Sequence, residues 1–192
     1  SELKTNKVSP ATGTAFTLGD SGDTFTIPSG ATIANSGTAT GFGDNTPGFE
    51  AYRSSDQGML DNTSTLIAFN TETYDSDSAY DTSAGKFTVP SGEGGKYFVY
   101  TACVIYSNAG GNDINTAEVI IKKNGSTAAS SSWDTNGYGD RLVLQIHTAL
   151  SLSASDYLEV FAVMDSATAS NCTVVGSAYP TSYFGAYKLI GV

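Results

Sequence analysis

The chain has 192 residues, a formal charge of −10, only 15% charged side chains and 21 glycines. That length holds one domain with an extension or one larger domain, with ample apolar residues for a core. An acidic, sparsely charged surface argues against nucleic-acid binding, which needs basic stripes, and no apolar run is long enough to span a bilayer as a helix.

Residues 1–46 differ from the rest. The opening Ser1-Glu-Leu-Lys-Thr-Asn carries no signal-peptide pattern, so the expectation is synthesis in a cytoplasm without export by the usual route. Thr14–Leu18, Thr24–Ile27 and Ala31–Ile33 read as short strand-like pieces separated by Gly-Asp, Ser-Gly-Asp and Pro-Ser-Gly turns. Each has two or three apolar side chains, too few for a core within one chain. Several copies wrapped together, or another protein, would supply the missing core. The alternative is a flexible leader rich in Gly, Ser and Thr. A Gly-containing joint at Thr38–Pro47 places a domain boundary between residues 46 and 47.

From Gly48 the pattern becomes that of strands. Phe49 and Ala51 alternate with Glu50 and Tyr52, and Ser54–Thr63 is a polar loop broken by Met59-Leu60. Ile67 and Phe69, then Phe87 and Val89, again alternate with polar neighbours. Asp81–Gly85 and Pro90–Gly95 are turns. Lys96–Tyr106 is a long strand of aromatic and β-branched residues. A loop at Ser107–Asp113 leads to the strand Thr116–Lys123, which Asn124-Gly125 turns into a hairpin with a Ser/Ala-rich partner, Ser126–Trp133. Asp134–Asp140 reads as another polar loop. Strands follow at Arg141–Leu150, Tyr157–Met164, Asn171–Ser177 and Ser182–Ile190, with a turn at Ser153–Asp156. No stretch shows helical periodicity with caps. The expectation is an all-β fold of about ten strands in two sheets.

The pieces Phe49-Glu-Ala51, Thr65–Asn70, Tyr80-Asp81, Gly85–Pro90, Gly95–Phe98, Lys123-Asn-Gly125 and Phe184-Gly-Ala-Tyr187 stand in an order that resembles the C1q/TNF-like jelly-roll family from about residue 47 to 192. The fold class implied is an all-β, ten-stranded C1q/TNF-like jelly-roll sandwich with a short β-rich N-terminal extension. The opening SELKTNKVSPATGTAFTLGDSGDTFTIPSGATI looks like the N-terminal segments of virion fibre proteins from marine tailed phages. Residues 1–46 are accordingly read as an extended attachment or trimerisation segment.

Tyr157, Phe161, Tyr183 and Tyr187 fall on strand faces opposite the inward aliphatics, and Tyr97 and Phe98 point to opposite sides. A strand apolar on both faces needs a second partner, and the family resemblance implies a homotrimer around these aromatics. The expected interface is Tyr97, Tyr157, Phe161, Tyr183 and Tyr187. The alternative leaves the tyrosines partly exposed with wet hydroxyls.

Nothing in the sequence supports an enzyme. The single histidine, His147, sits mid-strand and reads as a surface or interface residue, and HExxH, CxxC, P-loop and GxSxG patterns are absent. Asp75, Asp77 and Asp81 read as turn formers. Asp75-Ser-Asp77 offers oxygen ligands for calcium but lacks the Gly and distal Glu of an EF-hand, so the expectation is no cofactor, with calcium there as the alternative. Cys103 reads as a small buried hydrophobe; a Cys103–Cys172 disulfide requires their strands to pair. Candidate ligand-binding loops carry Asn108, Asn112 and Asp113, then Trp133, Asp134, Tyr138 and Arg141.

These features suggest a non-enzymatic phage virion protein. It would be a homotrimeric fibre or capsid decoration whose N-terminal segment binds other virion proteins. The head would project, with a host-surface glycan or protein as its ligand. The alternative is a free, soluble C1q-like ligand- or carbohydrate-binding module.

Overall fold

The computed structural model describes residues 8, 10, 12–15, 17–34, 36, 45–109 and 111–190. The chain divides into two compact units, Ser1–Phe42 and Gly43–Val192.

In the first unit no described residue lies in a strand. This corrects the expectation of strand-like pieces at 14–18, 24–27 and 31–33, of which Phe16 lies outside the described residues. Two tight turns replace them: Asp23 N–H donates to Asp20 O at 3.0 Å and Ala31 N–H to Pro28 O at 3.1 Å. The physical reason is the one composition announces. A strand needs a ladder partner, and the described residues of this unit provide none. Leu18, Phe25 and Ile33 are left more than half exposed.

The second unit is an antiparallel sandwich of thirteen strands among the described residues: β1 Gly48–Tyr52, β2 Gln57–Met59, β3 Thr65–Leu66, β4 Thr71–Asp75, β5 Tyr80–Asp81, β6 Lys86–Thr88, β7 Gly95–Ser107, β8 Ile114–Lys123, β9 Ser126–Gly139, β10 Arg141–Leu152, β11 Tyr157–Ser166, β12 Cys172–Val174 and β13 Tyr183–Lys188. The expected ten are there. The additional elements β2, β4 and β5 are five residues or shorter and arise where polar loop sequence runs along a sheet edge. One expectation fails outright: Asp134–Gly139 is not a loop but the continuation of β9. Asn136 (φ 49°) and Gly137 (φ 79°) put an irregularity into it opposite Asn115.

Two long strands organise the sheets. In the first sheet, β7 pairs with β10 along one whole edge, from Gly95↔Leu152 to Tyr106↔Arg141. Its other edge is shared end to end by β13 and β12; β1 and β4 continue outward from β13, and β2 from β12. In the second sheet, β11 plays this part. It pairs with β8 on one side and with β6 and β3 on the other, with β9 and β5 at the margins.

The two sheets meet over an aromatic cluster. Phe49 from β1 stacks on Tyr80 and Phe87 of the second sheet, with ring centroids 4.7 and 4.8 Å apart, and meets Phe184 of β13 edge-on at 5.0 Å. Such pairs add about 0.5–1.5 kcal/mol beyond the burial of their area. Period-two burial is clean in β11, where Leu158, Val160, Ala162 and Met164 are buried. The cysteines are both buried and both free. Cys172 registers against Ser107 of β7, four residues beyond Cys103. At about 3.3 Å per residue that is roughly 13 Å, far outside disulfide reach. Burial pushes the Cys103 thiol up to about 12 and the Cys172 thiol up to about 11.

Asn124-Gly125 turns β8 into β9 with both residues in the left-handed region (φ 51° and 80°), as a type I′ hairpin requires. A carboxylate holds this end. Asp156 accepts from Lys123 Nζ at 2.8 Å, Asn124 Nδ2 at 2.7 Å and Ser153 N–H at 2.7 Å. These bonds, the Lys123 one first, lower its pKa to about 2. A depressed folded value contributes stability that is present above the unfolded value of about 3.9 and is lost as pH falls through about 2. Urea midpoints of the wild type should therefore fall between about pH 4 and pH 2, and Asp156→Asn should flatten part of that fall; an unchanged slope in the variant would refute this role for Asp156.

Candidate functional site

The outer face of the first sheet is the feature that sets this sandwich apart. Inward-facing β7 residues are Tyr97, Val99, Thr101, Cys103 and Ile105, all buried. By alternation Phe98, Tyr100, Ala102, Val104 and Tyr106 face out. Cross-strand partners lie on the same face, which adds Tyr183, Gly185 and Tyr187 of β13 and Val143, Gln145, His147 and Ala149 of β10. Phe98 lies 5.5 Å from Tyr187, 6.0 Å from Tyr100 and 6.3 Å from a stacked His147; Tyr100 lies 6.1 Å from Tyr183. The result is one continuous aromatic surface across three strands.

A glycine makes its centre flat. Gly185 is the register partner of Tyr100, and a Cβ at 185 would stand 2.4 Å from the Tyr100 ring and 2.9 Å from Phe49 O. The ring lies over the glycine and reaches the next strand, where its hydroxyl donates to Glu50 Oε2 at 3.0 Å. Burial, with the Glu50 charge beside it, pushes the Tyr100 hydroxyl far up. This explains the Gly within Phe184-Gly-Ala-Tyr187.

The five expected interface residues do not share one face. Tyr183 and Tyr187 lie on the aromatic surface. Tyr97 points the other way, fully buried against Phe87 at 5.9 Å, with its hydroxyl donating to Glu93 O at 2.6 Å. Tyr157 and Phe161 belong to the second sheet, on its outer face. Each is covered by a lysine: Lys86 Nζ lies 5.1 Å from the Tyr157 ring centroid and Lys122 Nζ 3.7 Å from that of Phe161. Phe98, Tyr100, Glu50 and His147 take their places on the aromatic surface. Parity along Lys96–Tyr106 was the signal for Phe98 and Tyr100; Glu50 and His147 reach this face only through the register of β1 and β10.

A second concentration of polar groups lies where β7, β9 and β11 end. Asp113 is buried and unavailable to a ligand. Its carboxylate accepts from Ser107 Oγ at 2.7 Å, from Ser166 Oγ and from Thr168 N–H at 3.0 Å. The Ser166 bond leads the set that holds its pKa below the usual carboxylate range. Its backbone N–H donates to Gly139 O and its carbonyl accepts from Ala167 N–H. Above it, Tyr106, Ser107, Asn108, Gly111, Asp140 and Arg141 line a cleft of about 340 Å³. Asn112 is exposed on the same loop but does not line the cleft. Trp133, 60% exposed, and Tyr138, 80% exposed, lie apart along β9. Asp134 accepts from Asn136 N–H at 3.0 Å. Among the described residues no cluster of three His, Cys, Asp or Glu side chains is arranged to hold a metal. Asp75, the expected calcium alternative, accepts Tyr80 N–H at 2.8 Å and Asp77 N–H at 3.3 Å, closing its own turn.

No family model matches the sequence, and no curated protein matches it. Solved structures do resemble the fold. Eiger TNF from S. frugiperda is 15% identical with a TM-score of 0.57, over 78% of this chain and 96% of that one. The globular domain of zebrafish complement 1qA is 14% identical, TM-score 0.50, over 75% and 98%. Murine APRIL is 10% identical, TM-score 0.54, over 74% and 98%. The chain is an all-β jelly roll of the TNF/C1q type.

The glycine argument has a direct test. Gly185→Ala should cost about 1–3 kcal/mol, the range for forcing extra atoms into a packed site, read from urea unfolding; a cost within error would show that the Tyr100 ring does not rest on this position.

Proposed function

We propose that this chain is a non-enzymatic structural and binding module that self-associates as a homotrimer through the outer face of its first sheet. The supporting observation is the continuous surface of Phe98, Tyr100, Tyr183, Tyr187 and His147 on a strand whose other face already fills the core. Monomeric proteins rarely leave contiguous apolar patches of this kind open, and aromatic residues are enriched in interface cores. The number three comes from the jelly-roll resemblance. Tyr157 and Phe161 are left out of the interface because their lysines already cover them.

The assembly belongs, in this reading, to a bacteriophage virion, as a tail fibre or a capsid decoration. Residues 1–46 attach it to other virion proteins and the head projects, its loops turned to a host surface. Two observations support the attachment role: the likeness of residues 1–33 to phage fibre segments, and the exposed Leu18, Phe25 and Ile33, which want an apolar partner. The likeness to the zebrafish complement domain favours a second reading, a free C1q-like binding module.

Light scattering tests the assembly. The full chain and a chain lacking residues 1–42 should both show three times the monomer mass. Tyr187→Asp places a charge in the interface, where desolvating it is costly, and should give monomers. Phe161→Ser, on the opposite sheet, should keep the trimer. Trimeric Tyr187→Asp would mean the interface lies elsewhere. For the virion, mass spectrometry should find peptides of this chain in particles purified by density gradient; their presence only in the soluble fraction would favour the free module.

A further inference from the structure

We infer that the cleft at the loop end binds a single sugar ring bearing a carboxylate, as in a uronic acid. This inference rests on the reading of the head as a binding module and names the ligand class. Three separate segments meet here, and their backbones are tied to one another. Ser107 N–H donates to Asp140 O at 3.1 Å, Asn108 N–H to Asn171 O at 3.0 Å and Asp113 N–H to Gly139 O at 2.9 Å. Beneath them the buried Asp113 carboxylate bridges Ser107 and Ser166. Backbone ties of this kind at Ser107, Asn108 and Asp113 reduce the ordering that a ligand would have to impose.

Tyr106 and Arg141 are register partners on β7 and β10, so an aromatic side chain and a guanidinium share one face of the sheet and both line the cleft. Asn108 accepts from Thr173 Oγ1 at 3.0 Å through Oδ1, which turns its amide donors away from that bond. Neither the Asp140 carboxylate nor the Arg141 guanidinium has a hydrogen-bond or ion-pair partner among the described residues. Among the described residues the cleft thus presents an unpaired cation, an unpaired anion and an amide donor beside the half-buried Tyr106.

Ligand chemistry follows by elimination. A bare anion would pair with Arg141 but bring no hydroxyl donors for the Asp140 carboxylate. A neutral sugar would give hydroxyls to Asp140 and leave Arg141 without its planar partner. A sugar acid satisfies both: its carboxylate takes the guanidinium fork and its hydroxyls donate to Asp140. A volume of about 340 Å³ is at the low end for small-molecule sites, which suits one ring. The cleft lies six residues along β7 from Tyr100, roughly 20 Å, at the rim of the aromatic surface.

The test uses the full chain, glucuronic acid as the probe, and glucose and inorganic phosphate as controls, read by saturation-transfer NMR and calorimetry. Glucuronic acid should bind in the millimolar range or tighter, with glucose and phosphate at least tenfold weaker. Arg141→Ala, an exposed position, should lose at least tenfold; Trp133→Ala should bind as the wild type does. The inference is overturned if glucuronic acid does not bind, if phosphate binds equally well, or if the Trp133 variant loses binding while Arg141→Ala keeps it. Light scattering on the same samples separates the two readings. A trimer without sugar binding removes this inference alone, and a monomer that binds the sugar removes the assembly alone.

Discussion

Strand β7 is apolar on both faces, and the molecule is arranged around covering both of them. Its inner face is covered within the chain: Tyr97, Val99, Cys103 and Ile105 lie in a core closed by the Phe49 cluster. Its outer face is covered only in part. Tyr100 folds over Gly185 and ties itself to Glu50, which flattens the surface without hiding it. A flat aromatic sheet surface is awkward for a lone domain and suitable for contact between copies. Self-association is the proposal that answers this constraint.

The second sheet meets the same difficulty differently. Tyr157 and Phe161 also project outward from a strand whose other side is core, yet a lysine lies over each ring. Such contacts are worth about 0.5–1 kcal/mol at exposed sites, and the lysine stems shield the apolar edge while the ammonium stays in water. In a chain with nine basic residues, two are committed to this cover. Among the described residues the outer face of the first sheet has no such lysine cover; His147 lies against Phe98 there as a flat ring. One sheet has its outer aromatics under lysines, and the other is the face proposed above for self-association.

The loop end depends on a different interaction, a carboxylate placed out of water. A buried charge is tolerated only when fully hydrogen-bonded, and Asp113 meets that condition with two hydroxyls and a backbone N–H. Segments that look free in sequence are therefore tied together at Ser107, Asn108 and Asp113, beside Asp140 and Arg141, whose charged groups have no partner among the described residues. Asp113 was a fair candidate for ligand contact by residue type. Its place beneath the cleft gives it a supporting part instead.

Much of this was present in the residues. Period-two alternation, the Asn124-Gly125 turn and the ordered pieces from Phe49 to Tyr187 were enough for an all-β sandwich of the right type, because local backbone chemistry dictates strands and hairpins. Parity alone also separates Tyr97 from Phe98. What it does not decide is which parity faces the core when both are apolar. That choice belongs to the partner sheet, whose Phe87 claims Tyr97. In the same way, Tyr157 and Phe161 look identical in sequence to Tyr183 and Tyr187. Only the pairing of β11 with β6 and β8 brings Lys86 and Lys122 over the first pair. The strand-like pieces of residues 14–33 have the propensity but no ladder partner among the described residues. Local propensity by itself does not make a strand, since strands exist only in pairs. Strand identity and turn position were thus determined by sequence, while the assignment of faces and the meeting of Asn108, Asp140 and Arg141 were decided by tertiary structure, because each depends on a neighbour that is remote along the chain.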